Sequence, residues 1–277
     1  MLKNFSYNLF YKIRGLFSNN TLNLYWFKKN NNFGDILNVY LIEKLTNKKV
    51  NFVKIKYCKI EHFLCIGSLL ASTRKNTIVW GAGFMDQRSK CFEKPKKIYA
   101  VRGPKTRKIL LENNIDCPEV YGDPALLLPR VYNPKIKKCY KYGIIPHYVD
   151  ADNPFLEKIE NRKDVLIIDI LNENPFNTVD EILSCENIIS SSLHGIIVAD
   201  AYNIPSLWIE FSDKVIGSGF KFYDYFESVK KNVSSSFRID AKTEFIELIE
   251  NINSEKIDID LDKLIKSCPF DIKYLNY

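Results

Sequence analysis

The sequence predicts an α/β protein made of two Rossmann-like domains with a central cleft. Short β-rich runs alternate with helical ones, as parallel sheets built from βαβ units require. The alternation is interrupted once, by the basic, proline-containing segment 129–141, and then restarts in the same style. The 277 residues, 46% hydrophobic and 13% aromatic, supply enough apolar material for both cores.

The elements follow in chain order. No acidic residue precedes Asp35, whereas Lys3, Lys12, Arg14, Lys28 and Lys29 are basic, and Phe5, Leu9, Phe10, Ile13, Leu16 and Phe17 recur at helical spacing. Segment 1–21 therefore reads as an amphipathic helix, which either lies on an anionic membrane or packs on the protein body. A first α/β domain spans 22–128, with strands expected at 24–27, 51–55, 63–66, 77–80, 97–101 and 119–121. Its helices are expected at 36–46 and 104–112, the second opened by Pro104 after Gly103. After the linker, a second α/β domain spans 142–240, with strands at 142–145, 165–170, 187–190 and 206–209 and helices at 155–161, 178–185 and 195–202. The tail, 241–277, carries one or two helices up to about residue 267. Two such halves resemble the glycosyltransferase B architecture.

Composition narrows the function. The formal charge of +7 arises from 40 basic and 33 acidic residues without an arginine-rich arm, which argues against nucleic acid and for an anionic small substrate or lipid surface. The seven cysteines are scattered, with no Cys-x-x-Cys, so neither a disulfide framework nor a metal site is expected. No apolar run reaches the ~18–20 residues of a membrane span, and the N-terminus lacks a signal-peptide pattern, so a cytoplasmic location is expected.

Ligands of open α/β sheets sit beyond the carboxyl ends of the strands, which selects four segments. In the first, Asn32, Gly34 and Asp35 either cap the following helix or serve a ligand, with Gly34 allowing close approach and Asp35 taking a proton or hydrogen bond from a sugar hydroxyl. In the second, Lys105, Arg107 and Lys108 oppose the dipole of the helix they open, a conflict that a bound anion would resolve. Arg102, just before them, suits a carboxylate or phosphate, and a structural arginine among solvated lysines is the plainer alternative. In the third, Ser190, Ser191, Ser192, His194 and Gly195 turn a strand into a helix. His194 should be neutral when free and charged when a multiply charged anion binds beside it. The fourth is the glycine loop Gly217-Ser218-Gly219 and an aromatic run in which Lys221 could hold phosphate, the rings packing inward.

Taken in order, Asn32 to Asp35, Gly81-Ala82-Gly83, Arg102-Gly103-Pro104, Gly122-Asp123-Pro124-Ala125 and Ser191 to Gly195 resemble the motifs of the polysaccharide pyruvyltransferase family. The resemblance spans roughly residues 22–231. It implies transfer of pyruvate from phosphoenolpyruvate to a sugar hydroxyl pair as a cyclic ketal, during synthesis of a bacterial surface polysaccharide. His194 and Arg102 are then essential and Asp35 a third catalytic residue, with Asn32, Gly34, Gly83, Ser191, Ser192, Gly195 and Lys221 binding substrate. Phosphoenolpyruvate is the donor substrate, a saccharide, free or lipid-linked, is the acceptor, and no metal or other cofactor is required.

The rival reading is a nucleotide-sugar-dependent glycosyltransferase of the same architecture. It rests on Asp150-Ala151-Asp152, which has the form of a metal-nucleotide site, and on the pair Glu173 and Glu181. A decayed enzyme acting as a glycan-binding scaffold is a third reading, against which Asp35, Arg102 and His194 together speak.

Overall fold

The computed structural model describes residues 20–28 and 32–273. The amphipathic segment expected at 1–21 lies almost wholly outside them. The described chain forms two all-parallel sheets of five strands each. The first holds β1 (Thr21–Leu24), β2 (Lys49–Phe52), β3 (His62–Leu64), β4 (Thr77–Trp80) and β5 (Lys97–Ala100), in the order β2-β1-β3-β4-β5. The second holds β6 (Tyr140–Ile145), β7 (Val165–Ile167), β8 (Cys185–Ser190), β9 (Ser206–Glu210) and β10 (Phe237–Arg238), in the order β10-β9-β8-β6-β7. Counted from its own first strand, each sheet is ordered 2-1-3-4-5, with a chain reversal between strands one and three.

Helices α1 (Phe33–Thr46), α2 (Pro104–Glu112), α3 (Leu128–Val131), α4 (Pro154–Ile159), α5 (Pro175–Leu183), α6 (Leu193–Ala201), α7 (Phe220–Ser228), α8 (Phe245–Glu250) and α9 (Leu261–Lys266) cover the sheets. Strand side chains alternate between faces, so neighbours in sequence feed different cores. Cys65, Trp80, Ile145 and Ile188 point into a central apolar layer, which α1, α5, α6 and α7 fill from between the sheets. Their neighbours Leu64 and Val79 face an outer core with Ile109 and Leu110 of α2. Ile144 and Ile189 face another with Phe155, Leu156 and Leu248. The central layer is continuous from Leu24 to Ile188, so the two sheets share it.

The carboxyl-terminal tail reaches back to the first sheet. Phe270 meets Phe63 edge-on at 4.5 Å, and the indole of Trp80 donates to the Leu264 carbonyl at 3.1 Å. Several bounds shift, β1 lying at Thr21–Leu24 rather than 24–27 and β2 at Lys49–Phe52 rather than 51–55, and two expectations change in kind. Residues 119–121 give only a bridge between Tyr121 and Val101. The aromatic run after Gly219 is the helix α7 rather than a loop, and this sets where Lys221 points.

Candidate active site

In a sheet of this order the ligand crevice opens between strands one and three, at their carboxyl ends. These places are followed by Asn32 to Asp35 after β1, Gly67 and Ser68 after β3, Pro146 and His147 after β6, and Ser191 to His194 after β8. The structure brings them together. The Phe33 amide donates to the Ile170 carbonyl at 2.9 Å, tying the start of α1 to the segment after β7. Gly34 faces His194 so closely that a Cβ there would lie 2.0 Å from the ring Nδ1.

His194 is the second residue of α6, with 13% of its side chain exposed. Its Nε2 lies 3.7 Å from Oδ2 of Asp123, which is fully buried. The other Asp123 oxygen accepts from the Ala125 amide at 2.9 Å. Neither Nε2 nor Oδ2 has a hydrogen-bond partner among the described residues.

Asp35, in the first turn of α1, accepts from the Phe27 amide at 3.1 Å. Burial raises its pKa to about 6, against the pull of that hydrogen bond and of the nearby His194 and Lys221. Lys221 begins α7 with its side chain buried, and burial, aided by the charge of Arg102, lowers its pKa to about 8. It makes no ion pair among the described residues, and its ammonium lies over the Phe222 ring, 5.5 Å from the centroid. A buried ammonium without a counter-ion is costly, so an arriving anion would gain from it. His147 joins the same space, with its pKa lowered to about 4 by burial and by Lys221. Its amide donates to Ser191 Oγ at 2.8 Å, linking the ends of β6 and β8.

Arg102 already has an anion. Its Nε donates to Asp224 Oδ2 at 2.9 Å, and its terminal nitrogens donate to Ser68 Oγ at 2.9 Å and the Phe84 carbonyl at 2.6 Å. Asp224 also accepts from the Thr106 amide at 2.8 Å and hydroxyl at 2.7 Å, and so caps α2 from a distance. The anion expected at this basic helix start is therefore supplied by α7 of the protein itself. Close packing enforces it: a Cβ on Gly103 would lie 1.8 Å from the Asp224 carbonyl oxygen.

Of the remaining candidates, Asn32 caps α1 through the Gly34 amide at 3.2 Å, the plainer of its two readings. Gly83 lies against the Arg102 guanidinium, where a Cβ would come within 2.5 Å of its carbon. Ser192 occupies the cap position of α6, its amide donating to Ser190 Oγ at 3.0 Å, and Gly195 packs on that same hydroxyl. Sequence reasoning passed over three participants. Asp123 stood in a motif noted for resemblance without a role, Asp224 stood in a run read as aromatic packing, and for His147 the signal was its place just after the strand expected at 142–145.

The residues invoked for a nucleotide-sugar enzyme do not gather here. Asp150 is buried and accepts from Ser212 at 2.5 Å, while Asp152 is exposed. Glu173 is exposed before α5, and Glu181 is only partly buried on that helix.

A histidine, a carboxyl group with a raised pKa and a buried lysine are gathered where two parallel sheets open, a set with the chemistry to exchange protons and to attract an anion. The chain belongs to the polysaccharide pyruvyl transferase family, whose sequence profile matches residues 29–213, about two thirds of it. It is 36% identical over 208 residues to the uncharacterized protein L143 of Acanthamoeba polyphaga mimivirus, covering 73% of this chain and 72% of that one. It is 28% identical over 211 residues to the succinoglycan biosynthesis protein ExoV of Rhizobium meliloti (strain 1021), covering 74% of this chain and 64% of ExoV. Among the described residues no helix is long and apolar enough to cross a membrane.

Proposed function

We propose that the protein transfers pyruvate from phosphoenolpyruvate to two hydroxyls of a sugar as a cyclic ketal, in the synthesis of a surface polysaccharide. The observation that carries this reading is the convergence of His194, Asp35 and the unpaired Lys221 at the reversal points of both sheets. Lys221 and the amino-terminal amides of α6 attract the donor's phosphate and carboxylate. Its negative charge favours the imidazolium of His194, which gives a proton to the donor's methylene carbon.

The adjacent carbon becomes electrophilic. A first sugar hydroxyl adds to it through oxygen, with its proton passing to Asp35. The bond to the phosphate oxygen then breaks, phosphate leaving with the electron pair. The second hydroxyl adds at the same carbon and releases its proton, closing the ketal. One phosphoenolpyruvate and one diol give one ketal and one inorganic phosphate, with no other co-reactant. Arg102 contributes by holding Asp224, the start of α2 and the segment after β4, which shapes one wall of the site.

The two parallel sheets support a glycosyltransferase B-like arrangement of two α/β halves, with residues 129–141 as their connection. A cytoplasmic location beside the membrane, and an acceptor carried on a lipid, fit the basic, aromatic first segment. The test is phosphate release from phosphoenolpyruvate, read together with the mass of the acceptor. A gain equal to one pyruvate ketal that disappears in His194→Ala supports the reading, and release without any acceptor mass gain refutes it.

A further inference from the structure

Of the five buried side-chain nitrogen or oxygen atoms without a hydrogen-bond partner among the described residues, two face each other: His194 Nε2 and Asp123 Oδ2, 3.7 Å apart. A buried carboxylate oxygen left unpaired is costly, because it has given up its water without gaining a donor. This one cannot relieve itself by turning, because its surroundings fix it. The Ala125 amide holds the other oxygen, at 2.9 Å. Gly122, with φ +131°, lies so close under Leu264 that a Cβ would be 2.9 Å from its Cδ2. Pro124 in turn packs on Gly81, where a Cβ would be 2.2 Å from the proline ring. The turn that carries Asp123 is thus locked between the first sheet and α9.

We infer that Asp123 is a positioning residue that fixes His194 as its Nε2–H tautomer, leaving Nδ1 as the ring atom that exchanges a proton with the substrate. Nε2 is sealed from solvent, so the ring's residual exposure lies elsewhere, and Gly34, next to Asp35, packs on the face of the ring over Nδ1, Cε1 and Cγ rather than across the Nδ1 edge. The gap of 3.7 Å is about 0.8 Å longer than a good N–H···O bond, a distance that a small ring movement closes when substrate settles. When Nδ1–H passes to the methylene carbon of phosphoenolpyruvate, Nε2–H remains on the ring, bonded to the carboxylate. Asp123 keeps no proton in the cycle, and its charge stabilises the imidazolium before transfer. The kinetic part of this inference rests on the proposed pyruvyl transfer, whereas the tautomer does not.

The test uses the full chain labelled with ¹⁵N-histidine. Its three histidines, His62, His147 and His194, give three pairs of ring signals, assigned through His62→Gln and His147→Gln. With the rings neutral, the His194 shifts should report a proton on Nε2. In Asp123→Asn the amide oxygen keeps the Ala125 bond and the amide nitrogen donates to Nε2, so the proton should move to Nδ1. In parallel, kcat should fall by roughly 10²–10⁴ while KM for phosphoenolpyruvate stays within about threefold. A wild-type ring protonated on Nδ1 overturns the inference even if the variant fails to fold. So does a folded variant with an unchanged tautomer, because a merely structural aspartate predicts that result. A tautomer switch with unchanged kcat overturns the kinetic part. Correct tautomers with no pyruvyl transfer to any acceptor sink the proposed reaction and uphold the pair.

Discussion

Replacing Gly34 with alanine adds one methyl group to the floor beneath His194. That methyl would lie 2.0 Å from Nδ1, 2.3 Å from Cε1 and 2.5 Å from Cγ. Ordinary contact begins near 3.4 Å, so the ring must retreat by about 1.4 Å, the difference from 2.0 Å. Position 34 lies in the first turn of α1, where alanine is favoured over glycine by up to about 1 kcal/mol. Displacing a packed ring costs about 1–3 kcal/mol, so the two effects largely offset and the variant should fold, with Tm within several degrees of wild type. Catalysis has no such compensation: a misplacement of about 1 Å in a catalytic group costs on the order of 10²-fold in rate. The assay is phosphate release from phosphoenolpyruvate with acceptor present, alongside a thermal melt. Wild-type kcat in a folded Gly34→Ala protein would refute the assignment of His194 as the proton donor in this geometry.

Other expectations concern the buried charges. Asp35 titrates near 3.8 when unfolded and about 6 when folded, so the folded state binds the extra proton between those values and its stability falls as pH rises from 3.8 through 6. Asp35→Asn should therefore raise stability above pH 6, by up to about 3 kcal/mol, lose that advantage below pH 4, and slow transfer at least ~10²-fold; melts at pH 3.5 and 8 check it. Lys221 titrates near 10.5 when unfolded and about 8 when folded, so its cost is full below pH 8 and vanishes as pH rises to 10.5. Lys221→Met should melt higher at pH 7, lose stabilisation by inorganic phosphate, and raise KM for phosphoenolpyruvate roughly 10–10²-fold, as titration and kinetics would reveal. Arg102→Lys cannot reach Asp224, Ser68 and Phe84 together, and should cost about 1–3 kcal/mol in buried hydrogen bonds left unmade. An activity loss at unchanged Tm would instead make Arg102 a direct substrate clamp.

The alternation of strands and helices was legible because parallel strands buried on both faces form compact apolar runs. Residues 77–80 and 104–112 match the observed elements end to end. The helix α7 was hidden because Lys221 and Asp224 sit on its buried side, which breaks the apolar periodicity, and because Gly217 and Gly219 announce a loop. The early Asn-x-Gly-Asp and the serine-rich turn before His194 were visible as strand-end segments. Their pairing was not, since nothing in sequence states that Gly34 is the floor of a histidine. The same limit applies to Arg102: a basic helix start calls for an anion, and only the fold reveals that Asp224, 122 residues away, provides it.

The most direct test of the central claim is mass analysis of acceptor saccharides, lipid-linked and free, after incubation with phosphoenolpyruvate and either wild-type or His194→Ala protein. Pyruvyl transfer predicts a ketal mass gain matched by one phosphate released per acceptor, and its loss in His194→Ala. Thermal stabilisation by a nucleotide sugar, with no mass gain and no response to phosphoenolpyruvate, would contradict it and point to glycosyl transfer.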